Sequence, residues 1–88
     1  MDFEYDPLKS ELNKSRHDVD FEEAKVLWDD DDYAEVELEW ESEPRFMVIG
    51  MIDEKHWSAI CTNRLGKTRI ISVRRSRSNE VRIYEENR

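Results

Sequence analysis

One cysteine, Cys61, is all the chain contains, so no disulfide can form within it and no cysteine-based zinc site can be assembled. Two glycines and two prolines leave no low-complexity linker, and no repeat or internal boundary divides the 88 residues. That length suits one domain, residues 1–88, with one hydrophobic core, and is too short for a catalytic domain plus a regulatory one. No apolar run approaches the roughly 20 residues of a membrane span. The opening segment Met1–Asp6 is acidic where a secretory signal would be basic and then apolar. A cytoplasmic location with no membrane partner is therefore expected. Apolar residues make up 38% and charged ones 41%, with enough Trp, Phe and Ile to exclude full disorder. The net charge of −8 argues, as an average, against nucleic acid as a partner.

The average conceals a segregated distribution. Residues 1–55 hold 6 Lys/Arg against 19 Asp/Glu, a net of −13, whereas residues 56–88 hold 8 against 3, a net of +5. Arg64, Lys67, Arg69, Arg74, Arg75 and Arg77 follow one another with no acid between them. Such asymmetry implies an anionic ligand or a partner of complementary charge, unless the two halves neutralise each other within the fold.

Phe3 and Tyr5 alternate with acids and read as a very short first strand. Asp6-Pro7 supplies an N-cap and a proline at the first helical position, which predicts a helix over 7–16. Leu8 and Leu12, spaced i, i+4, form its expected buried stripe, while Lys9, Asn13, Arg16 and His17 share another face. Asp20 and Glu23 make a capping-box pattern for a second helix, with Val19 and Ala24 as a hydrophobic staple and Phe21, Ala24, Leu27 and Trp28 on its apolar side. The run Asp29–Asp32 ends it, since adjacent like charges oppose continuation. Over 34–43, Ala34, Val36, Leu38 and Trp40 alternate with five glutamates, predicting a strand with one wet face. Further strands are expected over 45–52, 56–64 and 68–75, joined by short turns, and a last helix over 77–87. The fold class is α+β, with an antiparallel four-stranded meander, two N-terminal helices and one C-terminal helix.

These residues carry a resemblance. Phe3, Tyr5, Asp6, Lys9, Asn13 and His17, then Val19, Phe21, Ala24, Trp28 and Asp29, then Glu43, Arg45, Ile49 and Gly50, and most densely Thr62, Arg64, the run Arg69-Ile70-Ile71-Ser72-Val73-Arg74-Arg75, Glu80 and Tyr84, make an ordered set similar to the BrnT family, the toxin component of type II toxin-antitoxin systems. The resemblance implies a RelE-like fold, endoribonuclease activity that arrests translation, and inhibition by a cognate BrnA-like antitoxin with a ribbon-helix-helix segment. Toxin and antitoxin would together repress their operon, with DNA met only through the antitoxin. No cofactor is implied. Assembly as a homodimer or a toxin-antitoxin heterotetramer stays open. The chain departs from the family in its acidity, in Arg16 before the histidine, and in Arg77 three residues before Glu80. The last departure removes a capping box and is expected to move the cap to Ser76.

Metal-independent RNA cleavage needs a base for the 2′-OH proton, cations or donors for the phosphorane, and an acid for the leaving 5′-oxygen. In the strand from Thr68, Ile71 and Val73 match the core parity, which puts Ser72 and Arg74 on the opposite face. Thr62 and Arg64 share a parity opposite Ala59 and Cys61, so Thr62, Arg64, Ser72 and Arg74 are expected to line one cationic face. Arginine forks suit phosphate there, unless they bridge to the acidic half. His17 is the candidate proton-transfer group, since imidazole exchanges a proton near neutrality. At a helix C-terminus it equally suits the dipole. The candidate catalytic set is Arg64, Arg74, His17 and Lys9, and the candidate RNA-binding set is Arg69, Arg75, Arg77, Thr62, Ser72 and Asn13.

Other features have structural readings. Cys61 shares the core parity and reads as a buried inert thiol. His56 reads as a surface residue. Glu80 and Tyr84, spaced i, i+4 on the last helix, either set a carboxylate and a phenol beside the arginines or, for Tyr84, pack on the sheet, which is the favoured reading. The four aspartates lack the spacing and turn glycine of a calcium loop, so a solvated acidic turn and no metal site are expected. The glutamate ladder either guards an edge strand against pairing or docks a basic partner. Two alternatives stand beside the ribonuclease: a non-catalytic acidic partner acting only in the regulatory complex, and a carboxylate surface that mimics nucleic acid.

Overall fold

Asp6 caps the first helix by accepting the Leu8 N–H at 2.9 Å, with Pro7 at the first helical position where its missing N–H costs nothing. A computed structural model, which describes residues 1–88, gives the order β1 (Phe3–Glu4), α1 (Pro7–His17), α2 (Phe21–Ala24), a 3₁₀ turn (Lys25–Asp29), β2 (Ala34–Leu38), β3 (Arg45–Ile52), β4 (Lys55–Arg64), β5 (Lys67–Arg75) and α3 (Ser78–Asn87). The reciprocal box at Asp20 and Glu23 forms as the spacing predicts. The second helix is shorter than expected: its α-helical part ends at Ala24 and tightens into the 3₁₀ turn, which stops at Asp29.

The strands lie in the order β1-β5-β4-β3-β2. β2 to β5 make the antiparallel meander the short turns predict. The expected four-stranded antiparallel sheet is corrected to five strands of mixed sense, because β1 pairs parallel to β5 through Phe3 with Thr68 and Glu4 with Arg69. A two-residue strand carries no directional signal in sequence. Two of the three meander hairpins, β3–β4 and β4–β5, use two-residue turns with left-handed backbones, Asp53-Glu54 (φ 49° and 66°) and Leu65-Gly66 (φ 52° and 80°), a geometry that matches the strand twist. β2 stops at Leu38 rather than running on to Glu43, and Trp40 is 55% exposed instead of joining the buried alternation.

The main core lies between one face of the sheet and the first helices: Phe21, Ala24 and Leu27 pack on Val48, Ala59, Cys61, Ile70 and Val73. Val19 and Ala24 are both buried there, as the staple requires. A smaller cluster on the opposite face puts Tyr84 of α3 against Ala34, Met47 and Ile49. Gly50 permits the close approach of the 3₁₀ turn, since a Cβ there would lie 3.1 Å from the Leu27 carbonyl oxygen.

Helix α1 contradicts its expected stripe. Leu8 and Leu12 are 70% and 54% exposed, and the buried positions are Ser10 and Asn13. Polar side chains are buried because they bind backbone: Ser10 Oγ accepts the Phe21 N–H at 2.9 Å, and Asn13 donates to the Val19 carbonyl at 2.7 Å while accepting the Val73 N–H at 3.1 Å. Asp30 performs the matching task on the other side of the sheet, taking the Met51 N–H at 3.0 Å. Strand edges that β1 and β2 are too short to cover are thus closed by side chains.

A β-bulge accounts for a second correction. Ile60 pairs with Ser72 and Cys61 with Ile70, so Ile71 is an extra residue in β5. The core takes Ile70 and Val73, while Ile71 is only half-buried. Beyond the bulge the parity returns, and Ser72 and Arg74 still fall on the face of Thr62 and Arg64, as expected.

Candidate active site

β1 covers β5 only at Thr68 and Arg69, and α1 lies along the outer edge that remains. A cleft of about 300 Å³ opens between them, lined by Lys9, Leu12, Asn13, Arg16 and His17 from α1 and by Ile71 and Ser72 from β5. The polar face expected of α1 is therefore gathered at one place, together with Ser72. Asn13 lies beneath it with both ends of its amide engaged, which fixes the helix on the strand. Lys9, Arg16 and His17 are exposed, and none makes an ion pair. No carboxylate lines the cleft.

The strand arginines are placed differently. Arg74 grips Glu80 of α3 through two bonds of 2.7 and 2.8 Å, and Ser58 Oγ donates to the same carboxylate at 2.8 Å. Glu80 is 4% exposed. Burial alone would raise its pKa, but Arg74, the Arg77 N–H and Ser58 outweigh that and hold it down to about 2. Arg64 reaches Glu43 at 3.4 Å and Arg69 reaches Glu4 at 2.7 Å, so these two do bridge to the acidic half. Glu43 also meets Arg45, whose guanidinium stacks 4.1 Å over Trp40. Thr62 is buried and donates to the Pro44 carbonyl at 2.7 Å. Arg75 and Arg77 are exposed and without a carboxylate partner, and Arg75 lies 5.7 Å over the Trp57 ring.

The candidate catalytic residues consequently occupy three places. Lys9 and His17 share the cleft, Arg74 sits under the start of α3, and Arg64 lies at the β4–β5 turn. Arg64 and Arg74 share a face but stand opposite Lys67 and Ser58, six positions apart along β4, or roughly 20 Å. The helical spacing of Glu80 and Tyr84 allows a carboxylate beside the arginines, and Arg74 does meet Glu80; the role of Glu80 as the hub that also takes Ser58 and the Arg77 N–H has one further sequence signal, its position three residues after a cap. The cap itself stays at Arg77 instead of moving to Ser76, and Ser76 Oγ bonds Ser58 at 2.8 Å. Arginine has no acceptor, so only the Glu80 half of the box forms, at 3.0 Å.

Away from the cleft the titrating groups are structural. Tyr84 is buried and donates to Asp30 at 2.7 Å, and burial first, then that carboxylate, push its pKa up to about 12. Asp30 is thus a joint between α3 and β3, not part of a fully solvated acidic turn. Cys61 is fully buried, which pushes its thiol up to about 12, as an inert core cysteine requires. His56 contacts Glu85 at 2.8 Å and packs edge-on to Tyr84. A larger concavity of about 400 Å³ is bounded by Glu39, Trp40, Glu41 and Ser42 and offers an anion no cation.

A cleft with unpaired cations and an imidazole is suited to a phosphodiester, and the comparison with known families agrees with that chemistry. Residues 5–80 match the family model of the ribonuclease toxin BrnT of type II toxin-antitoxin systems. No curated protein matches the chain. The matched span runs from Tyr5 through α1, the whole meander and the start of α3, and so contains every residue of the cleft and the Arg74–Glu80 pair. The chain belongs to the BrnT family of type II toxin-antitoxin ribonuclease toxins.

Proposed function

We propose that the protein is a metal-independent endoribonuclease whose chemistry takes place in the α1–β5 cleft. The observation that carries this reading is the set of unpaired Lys9, Arg16 and His17 around one open strand edge, while the other candidate arginines, apart from Arg75 and Arg77, are neutralised by carboxylates. His17 takes the 2′-OH proton, the 2′-oxygen attacks phosphorus, and the bond to the 5′-oxygen breaks with a proton supplied by Lys9. The products are a 2′,3′-cyclic phosphate and a free 5′-hydroxyl. Arg16 and the Ser72 hydroxyl stabilise the crowded phosphorane. Arg75 and Arg77 extend the binding track, and Arg64 and Arg69 join it at the far end by exchanging Glu43 and Glu4 for phosphate. Arg74, Thr62 and Asn13 position the strands and helix that carry these groups.

In this reading the protein has a RelE-like fold, works in the cytoplasm, arrests translation, and is neutralised by a ribbon-helix-helix antitoxin with which it represses its operon. Expression without antitoxin should arrest growth, and purified protein should cut unstructured RNA in EDTA. A harmless wild-type protein that leaves RNA intact overturns the enzymatic reading. One observation favours the non-catalytic alternative in that event: residues 26–44 hold nine carboxylates and no Lys or Arg, a surface fitted to a basic partner. A small ribbon-helix-helix protein encoded in the neighbouring reading frame is expected under either.

A further inference from the structure

The two apolar side chains of the cleft are both displaced from where folding alone would put them. Leu12 lies on the stripe that an amphipathic helix normally buries, yet it is 54% exposed and α1 is held down by Ser10 and Asn13 instead. Ile71 has the parity of a core residue until the bulge turns it toward the edge, where it meets the same cleft as Leu12. Bulges beside functional sites re-aim one side chain in this way. Exposing a leucine and adding a bulge both cost stability without adding to the core. The surroundings decide what covers the pair: Lys9, Arg16 and His17 stand around it and no carboxylate does, which suits a ligand with an apolar face and an anionic backbone.

We propose that Leu12 and Ile71 form a nucleobase subsite, holding the base beside the scissile phosphate in single-stranded RNA. A base inside a duplex has its faces covered, so the site takes one that has been splayed out. Lys9 and Arg16 grip the adjoining phosphate, and the base held against Leu12 and Ile71 sets where along the strand that phosphate falls. The Asn13 amide is engaged at both ends, so it makes no edge reading and the subsite selects for an accessible flat face rather than for one base. This assignment rests on the ribonuclease reading.

The test uses the full chain and a short unstructured oligoribonucleotide, intact or made abasic at each position in turn. Leu12→Ala should raise KM about five- to tenfold, the scale of one base contact, with kcat within twofold and the melting temperature not lowered. Ile71→Thr, which keeps the β-branch, should move KM in the same direction. For the wild type, one abasic position should raise KM by a similar factor, and Leu12→Ala should be indifferent to that same position. Unchanged KM in the Leu12 variant overturns the subsite, as does an abasic penalty that persists undiminished in that variant. If the wild type leaves the intact oligonucleotide uncut in EDTA, the ribonuclease reading and the subsite fall together; cutting with an unaltered KM in the Leu12 variant removes the subsite alone.

Discussion

Arg74 and Arg16 are the same residue type set in opposite circumstances. Arg74, under the start of α3, spends its planar fork on the buried Glu80. Arg16, on the rim of the α1–β5 cleft, has no carboxylate partner and stays exposed. The cationic run of the sequence contains the first and the acidic half contains the second, so local charge density points the wrong way. What decides which cation is available to an anion is whether the fold has already given it a partner, since a bidentate pair resists exchange while an unpaired side chain needs only to shed water.

His17 stands in the open cleft as its proposed proton-transfer group. Removing a proton-transfer group from the open cleft should lower kcat by roughly 10²–10⁴-fold. Circular dichroism should be unchanged, because the side chain is exposed and makes no ion pair. Cleavage that falls less than tenfold in His17→Ala would show that the cleft is not where the proton moves.

The next largest effect is expected at the locked end. Glu80→Gln keeps the shape but leaves Arg74 facing a neutral amide, which should cost roughly 2–3 kcal/mol, less than a fully buried pair because Arg74 is 23% exposed. Thermal melting should register this as a fall of roughly 10–20 °C. The pair also sets an acid limit. With Glu80 at about 2 in the folded chain and near 4.3 in the unfolded one, its contribution of about 3 kcal/mol is complete above the unfolded value and disappears as pH falls through the folded one. The Glu80→Gln variant should lose that part of the acid slope; if it keeps the wild-type slope between about pH 5 and 2, another carboxylate carries it.

Asn13 joins the two regions, because it closes the edge of β5 from beneath the cleft. Asn13→Ala strips a partner from the Val19 carbonyl and the Val73 N–H together, at a cost of about 2 kcal/mol. Hydrogen exchange at the Val73 amide should accelerate more than at the Ala59 amide in the sheet centre. Equal protection at both would place the anchoring of α1 elsewhere.

How far these features are legible in sequence depends on whether one local rule governs them. β3 falls on its expected bounds, and β4 and β5 each begin one residue earlier than expected, because alternation and two-residue turns fix a meander locally. The capping box at Asp20 is legible for the same reason, and where the rule breaks at Arg77 the structure shows half a box. Leu8 and Leu12 mislead because an i, i+4 apolar pair ordinarily marks the buried side, whereas α1 is held by hydrogen bonds to Phe21 and Val73, partners 11 and 60 residues away. Ile71 misleads because the alternation through Val73 assigns it to the core, and the one mark of the bulge, the adjacent apolar pair Ile70-Ile71, reads equally as a strand buried on both faces. The grouping of Lys9, Asn13, Arg16 and His17 follows from helical spacing, but the neighbour that completes the cleft, β5, is a long-range contact that spacing does not encode. Partner choice among the arginines is equally out of reach, since Glu4, Glu43 and Glu80 come from three separate elements or loops.

Arg16 and Arg64 are both exposed, and only Arg64 has a carboxylate neighbour. Each phosphate neutralised on single-stranded RNA contributes about 0.7 to the slope of log affinity against log salt. Arg16→Ala should therefore lower the slope by about that amount, having no protein carboxylate to fall back on. Arg64 is 48% exposed, but Glu43 stands 3.4 Å from it, so a phosphate binding there displaces an anion that the chain already supplies. The net counterion release is smaller, and Arg64→Ala should change the slope by less than half as much, measured on an uncleavable 2′-O-methyl oligonucleotide. Adding Glu43→Gln should restore the full increment at Arg64. If Arg64 and Arg16 give equal slopes while Glu43 is intact, pairing within the fold is not what separates open cations from closed ones.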